Sequence, residues 1–230
     1  MVTKITKTTA KKLHPVSKLD YELAAWQAEK VVCGVDEVGR GCLAGPVVAA
    51  AVIFPIGAKI DNICDSKLLQ EKELLDLAQK IMQNAWCGFG IINPFLIDNC
   101  NIRQATIFAM CRAVENLLTI CPIKPHKILI DDLPLDQYLA RDVDCLSAPK
   151  GETWSYSIAA ASIVAKVKRD QLMCDYNQIF NGFGFNHHKG YGTTEHYENI
   201  LQQERSILHR NSFLKKFQIS INGDKQCKLF

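Results

Sequence analysis

An apolar, β-branched run that stops on two adjacent carboxylates constrains this chain more than any other feature. The segment reads Val31-Val32-Cys33-Gly34-Val35-Asp36-Glu37-Val38-Gly39-Arg40-Gly41-Cys42-Leu43-Ala44-Gly45-Pro46. A run of this kind, broken by glycines, is the pattern of a buried strand that ends in a tight turn. Asp36 and Glu37 side by side repel each other unless a cation holds them, and hard divalent cations such as Mg²⁺ or Mn²⁺ prefer carboxylate oxygens. The pair alone also fits a solvated acidic turn. The glycines shift the balance. Gly39 and Gly41 leave a backbone without side-chain bulk, able to adopt positive φ and to let a ligand touch the main chain. Arg40 between them supplies a forked cation for phosphate or sugar oxygens. Carboxylates for metal beside a bare, cationic backbone point to a nuclease-type site.

The remaining pattern reads as one α/β domain. Apolar runs at 31–36, 44–54, 85–93 and 127–131 read as strands, with a fifth at 143–147. Helical periodicity runs from Glu71 to Asn84, from Ile102 to Leu118 and from Ser157 to about Phe180. Three strands followed by alternating strand and helix fit a mixed sheet flanked by helices. The fourth strand ends on Asp131, where sheet-based sites gather their ligands. Alternation then directs Asp132 to the other face. On the long third helix, Ser162, Lys166 and Asp170 recur every four positions and share one face. Taken alone, an intrahelical Lys166–Asp170 pair on a solvated surface is the better account of that spacing.

At 230 residues, 48% hydrophobic and 22% charged, the chain has the composition of a soluble globular protein with one sizeable core. No apolar stretch reaches the roughly 18 residues of a membrane span. The N-terminus has no apolar core of a secretory signal. None of the ten cysteines forms a C-x-x-C pair, and Cys33, Cys87, Cys111 and Cys145 lie in apolar runs. They read as reduced core residues of a cytoplasmic protein without a zinc site. Residues 1–18 carry five lysines and no acid, and residues 206–230 carry five basic residues against Asp224. With a whole-chain charge of +3, the 19–205 body is left at −6. Diffuse attraction therefore cannot bring nucleic acid to the body; focal cations, bound metal or the basic ends must do so. Residues 1–18 fit a disordered, solubilising tail.

Several stretches, in order, resemble the type 2 ribonucleases H, the bacterial ribonuclease HII group, over about residues 19–213. They are D-E-V-G-R-G at 36–41 with A-G-P-V-V-A-A-A-V at 44–52, D-S-K at 65–67, the strand-end Asp131, K-G at 150–151, A-A-A-S-I-V-A-K-V-K-R-D at 159–170, and H-K-G-Y at 188–191. The resemblance implies a ribonuclease H-like fold, a monomeric catalytic domain over 19–213, and four Mn²⁺- or Mg²⁺-binding carboxylates at Asp36, Glu37, Asp131 and Asp170. It implies two-metal hydrolysis of the RNA strand of RNA/DNA hybrids, and nicking 5′ of a single ribonucleotide in duplex DNA, with the ions activating water and stabilising the leaving 3′ oxygen. Gly39, Arg40 and Gly41 would approach the ribonucleotide 2′-hydroxyl, and Tyr191 would pack on the next sugar and favour deoxyribose there. Lys67, Lys150, Lys166 and Lys189 become candidate phosphate contacts. His187 and His188 would flank such a contact rather than bind metal.

The chain departs from the family pattern at Leu68-Leu69-Gln70, where Gln70 is a poorer helix cap than Ser or Thr and predicts a looser helix start, and at Glu152, where Asp is usual. These departures bear on substrate affinity and leave the four carboxylates intact. The C-terminal tail, 214–230, ends Gln226-Cys227-Lys228-Leu229-Phe230. The spacing of Gln226, Leu229 and Phe230 looks like the short motif by which bacterial repair enzymes dock on the sliding clamp. A chance match, or Phe230 folding back on its own domain, accounts for it as well.

Overall fold

A computed structural model describes residues 17–64, 66–135, 137–139 and 143–215. Asp65 of the D-S-K motif, the lysines at 4–12, and Gln226, Leu229 and Phe230 lie outside the described residues.

Five strands form one mixed sheet: β1 (Val32–Val38), β2 (Val47–Ile53), β3 (Trp86–Ile92), β4 (Lys127–Asp131) and β5 (Asp144–Ala148), in the order β3-β2-β1-β4-β5. The first three strands pair antiparallel, while β4 lies parallel to β1 and β5 parallel to β4. The helices are α1 (Asp20–Gln27), α2 (Glu71–Asn84), α3 (Pro94–Cys100), α4 (Ile102–Ile120), α5 (Gly151–Trp154), α6 (Tyr156–Ile179), α7 (Phe185–His188) and α8 (Thr194–Gln203).

Strand β2 is hydrophobic at every position because both of its faces are covered. Val47, Ala49, Ala51 and Ile53 pack with Ala105, Ala109, Met110 and Ala113 of α4. Ala50 and Val52 pack with Leu74 and Ile81 of α2 and with Ala159, Ala160 and Ile163 of α6. The alanines of α6 let it approach the sheet closely, and Gly34 sets the distance. A Cβ on Gly34 would stand 2.1 Å from the Ser157 carbonyl carbon, so only glycine lets α6 cross β1 there. The start of α6 is fixed by two side chains. Ser155 Oγ accepts from Ile158 N, and buried Glu22 of α1 accepts from Ser155 Oγ at 2.9 Å and Ser157 N at 2.8 Å.

Three local expectations are corrected. The strand expected over 44–54 begins at Val47, because the backbone bends through Gly45 at φ 84° and the Ala44, Gly45 and Pro46 carbonyls turn to arginine side chains. Gln70 does not leave the start of α2 loose, since Glu73 Oε2 reaches back to accept from Gln70 N at 3.4 Å. Asp132 does not continue the alternation of β4: it leaves the strand at φ 64°, and its carboxylate meets Arg40 at 2.9 Å.

Candidate active site

The parallel pairing of β1 and β4 brings the strand ends together. Val35 lies opposite Ile130, so Asp36 and Asp131, the next residue on each strand, stand side by side; β1 does not stop on its carboxylates as expected but runs on to Val38, because Asp36 and Glu37 stay paired with Ala50 and Ala49 of β2. Asp36 shares the α6-facing side of β1 with Gly34, and Ser162 of α6 hydrogen-bonds its carboxylate. Ser162 in turn lies 2.9 Å from Ser66. Around these residues opens a cavity of about 220 Å³ lined by Asp36, Glu37, Val38, Gly39, Ser66, Lys67, Asp131, Glu152, Ser162, Lys166 and Tyr191. Three of the four expected acids face one space, together with Lys67, Lys166 and Tyr191. The fourth, Asp170, lies one turn along α6 and does not line the cavity; its Oδ1 takes the Lys166 ammonium at 2.7 Å.

The acids are individually engaged. Asp36 Oδ1 accepts from Glu37 N at 2.7 Å, Asp131 Oδ1 from Gly151 N at 2.7 Å, and Glu37 Oε1 lies 3.4 Å from Arg40. Among the described residues no three His, Cys, Asp or Glu side chains converge into a ligand cluster. Two features fit a cation here. Glu37 Oε2 is buried with no hydrogen-bond partner, an orphaned oxygen on the cavity wall. Burial, then Glu37 and Asp131, push the Asp36 carboxyl well above its usual range, and burial pushes Glu37 up to about 7. Hard divalent cations, ligated by carboxylate oxygens, would relieve both.

The Gly39–Arg40–Gly41 turn is held from beneath by two arginines that the sequence pattern did not single out. Arg169 and Arg210 are fully buried and hydrogen-bonded to backbone carbonyls. Arg169 donates to Pro46 O, Lys189 O and Ala44 O at 2.8–3.1 Å. Arg210 donates to Gly39 O at 2.7 Å, Arg40 O at 2.9 Å and Gly45 O at 2.9 Å. Arg210 therefore does not belong to a basic nucleic-acid-binding end, where its position in the sequence had put it. Gly39 is obligatory on two grounds: its φ is +95°, and a Cβ would stand 2.2 Å from Arg169 Nε. Gly41 has no such need. Its backbone is not in the positive-φ region, and nothing lies within 4 Å of an added Cβ.

The other expected contacts divide. Lys67 and Lys166 line the cavity, whereas Lys150 is exposed at the start of α5, in a left-handed conformation beside the Gly151 amide that holds Asp131. Lys189 turns away, its Nζ on Asn186 O and Cys174 Sγ. His187 is exposed against Glu195 and His188 is buried, its Nε2–H donating to Phe183 O at 2.7 Å, and neither lines the cavity. Tyr191 lines the cavity with its ring 5.7 Å from the Arg169 guanidinium. Ser66 and Glu152 were not foreseen as lining residues, although Ser66 sits in the D-S-K stretch and Glu152 follows K-G.

The chain matches the ribonuclease HII family model over residues 33–216. The chain belongs to the ribonuclease HII family. It is accordingly a ribonuclease H enzyme. Its fold matches that of the ribonuclease H2 from Pyrococcus horikoshii OT3, with a TM-score of 0.68 and 22% identity over 85% of this chain and 100% of that one. It also matches the ribonuclease HII solved with PCNA from Archaeoglobus fulgidus, with a TM-score of 0.64 and 22% identity over 79% of this chain and 94% of that one. Bst-RNase HIII, solved in complex with Mn²⁺, matches with a TM-score of 0.65 and 21% identity over 86% of this chain and 71% of that one. All three support the fold. Among the described residues no helix is long and apolar enough to cross a membrane.

Proposed function

We propose that this ribonuclease H cuts the RNA strand of RNA/DNA hybrids and nicks 5′ of a single ribonucleotide in duplex DNA, with Asp36, Glu37, Asp131 and Asp170 holding two divalent cations. The observation that carries this is the buried, partnerless Glu37 Oε2 on a cavity wall shared with Asp36, Asp131, Gly39 and Tyr191. Mn²⁺ or Mg²⁺ bound there would activate the attacking water and stabilise the leaving 3′ oxygen; Bst-RNase HIII has been solved with Mn²⁺. The chain's own residues do the rest. Arg210 turns the Gly39 and Arg40 carbonyls inward, which leaves the outer side of that turn to a sugar 2′-hydroxyl. Tyr191, at the cavity rim, packs on the following deoxyribose. Lys67 and Lys166, which line the cavity, would neutralise the phosphate.

The test is digestion of a duplex carrying one ribonucleotide beside an all-DNA duplex, with Mn²⁺ and with chelator. A metal-dependent 5′ nick in the first duplex alone is expected. Cutting of the all-DNA control would make the chain a DNA nuclease of the same fold, and no cutting of either would make it a binding module. Residues 19–213 would form the catalytic unit, acting as a cytoplasmic monomer. Gln226, Leu229 and Phe230 are proposed to dock on a sliding clamp, a reading supported by the Archaeoglobus fulgidus enzyme having been solved with PCNA. Phe230→Ala should abolish micromolar binding of a 219–230 peptide to the clamp, about −8 kcal/mol.

A further inference from the structure

Behind Tyr191 lies a buried chain of hydrogen bonds whose polarity is fixed at both ends. The Tyr191 carbonyl accepts from His196 Nδ1 at 2.8 Å, so that nitrogen carries the proton and His196 Nε2 is an acceptor. His196 Nε2 lies 3.1 Å from His209 Nε2, which must therefore be the donor. His209 Nδ1 is left as an acceptor, and it accepts from Ser206 N at 2.9 Å. Ser206 Oγ, 3.0 Å from the same nitrogen, can donate to it as well; the Ser206 carbonyl oxygen is farther, at 3.3 Å, so the two closer contacts agree with Nδ1 as the acceptor. The imidazoles are 0% and 3% exposed; both pack against Phe185, and His196 stacks on the ring of His188 at 4.2 Å. Burial lowers both to about 4, which keeps them neutral as the alternation of donor and acceptor requires; a protonated ring would set two donors face to face.

The far end of this line is also anchored. His209 pairs with Ala44, and Arg210, the next residue, donates its backbone N–H to Leu43 O at 2.8 Å and its side chain to Gly39 O and Arg40 O. The turn that meets the ribose and the tyrosine that meets the following sugar are thus joined through two adjacent residues and one histidine. Tyr191 itself is held at three further points: its hydroxyl by Cys42, its ring by Arg169, and its carbonyl by Thr193 N at 2.9 Å.

We propose that His196 and His209 are positioning residues that set the distance between the Gly39–Gly41 turn and Tyr191, and thereby the preference for a ribonucleotide followed by a deoxyribonucleotide. The inference rests on the reading of Tyr191 as the junction reader. Neither imidazole touches substrate; each acts through Tyr191.

The test compares kcat/KM for an embedded single ribonucleotide with kcat/KM for plain RNA/DNA hybrid, in Mn²⁺, for the full chain and its His196→Leu, His196→Asn and Tyr191→Ala variants. His196→Leu should lower the ratio about tenfold, as a small displacement of a substrate-packing group does. His196→Asn keeps a donor near the Nδ1 position and should hold the ratio within about threefold of the natural chain. Tyr191→Ala is the control for the underlying reading. If Tyr191→Ala leaves the ratio unchanged, the junction reading is wrong. If it lowers the ratio and His196→Leu does not, the positioning role is overturned while the junction reading stands. Equal loss in the Leu and Asn variants would also overturn it. Nitrogen-15 NMR of the natural chain gives a test independent of any variant: His196 must carry its proton on Nδ1 and His209 on Nε2, and the reverse tautomers refute the relay.

Discussion

Replacing Glu37 with glutamine should abolish hydrolysis and at the same time stabilise the metal-free protein, by an amount the site geometry sets. Burial raises this carboxyl from 4.5 to about 7. The stability it contributes is complete below the unfolded value of 4.5 and is lost as pH rises through 7, so above pH 7 the ionised group costs the fold about 3 kcal/mol. Glutamine removes that cost. The attraction of Arg40, 3.4 Å away, already works against burial in that figure. The net gain is therefore about 3 kcal/mol. For a chain of this length it corresponds to a rise in Tm of about 9 °C. The assay is thermal unfolding of both proteins with chelator present, above pH 7 and near pH 4.5, with the difference between them taken at each pH so that every other titrating group cancels. The variant should lead above pH 7 and lose that lead near pH 4.5. Saturating Mn²⁺ should then raise the Tm of the natural chain more than that of the variant. A Glu37→Gln protein no more stable than the natural chain above pH 7 would refute the view of this site as a cluster strained by its own charge.

Asp131→Asn and Asp170→Asn should each lose most hydrolysis in saturating Mn²⁺ with circular dichroism unchanged, and near-normal cleavage by either would remove that acid from the ligand set. Gly39→Ala should cost about 3 kcal/mol, because alanine at φ +95° is strained and its Cβ meets the buried Arg169 side chain; chemical denaturation reads this directly, and a loss under about 1 kcal/mol would contradict it. His196 and His209, lowered to about 4, bind protons more readily in the unfolded chain, so their part in stability is whole above 6.5 and is lost as pH falls toward 4. The acid limb of the Tm profile should be shallower in His196→Asn than in the natural chain, and parallel limbs would show that these imidazoles are not buried neutral.

What could be read from the sequence and what could not differ in a physical way. The five strands and the long helices were legible because their signals are local: alternation, 3.6-residue periodicity and the glycines that end them all lie within one element. Asp36, Glu37 and Asp131 were visible for the same reason, each following directly on an apolar run, although only Asp131 ends its strand and β1 continues through the first two to Val38. The supports of the site were not. Arg169 and Arg210 bind backbone carbonyls 125 and 170 residues away at Ala44 and Arg40, and a carbonyl is common to every residue, so it leaves no trace in the sequence of either partner. Arg210 was counted with the basic C-terminal end because charge is visible in sequence and burial is not. His196 and His209 looked incidental, since a histidine that donates to one neighbour and accepts from another has no spacing rule. Tyr191 shows both sides of the division. Its place in H-K-G-Y marked it as a substrate contact, but what holds it at the cavity rim is an imidazole N–H, a thiol and a guanidinium, from His196, Cys42 and Arg169. A motif can therefore mark a residue such as Tyr191, while the contacts that fix its position come from backbone acceptors and neutral donors that only the folded chain brings together.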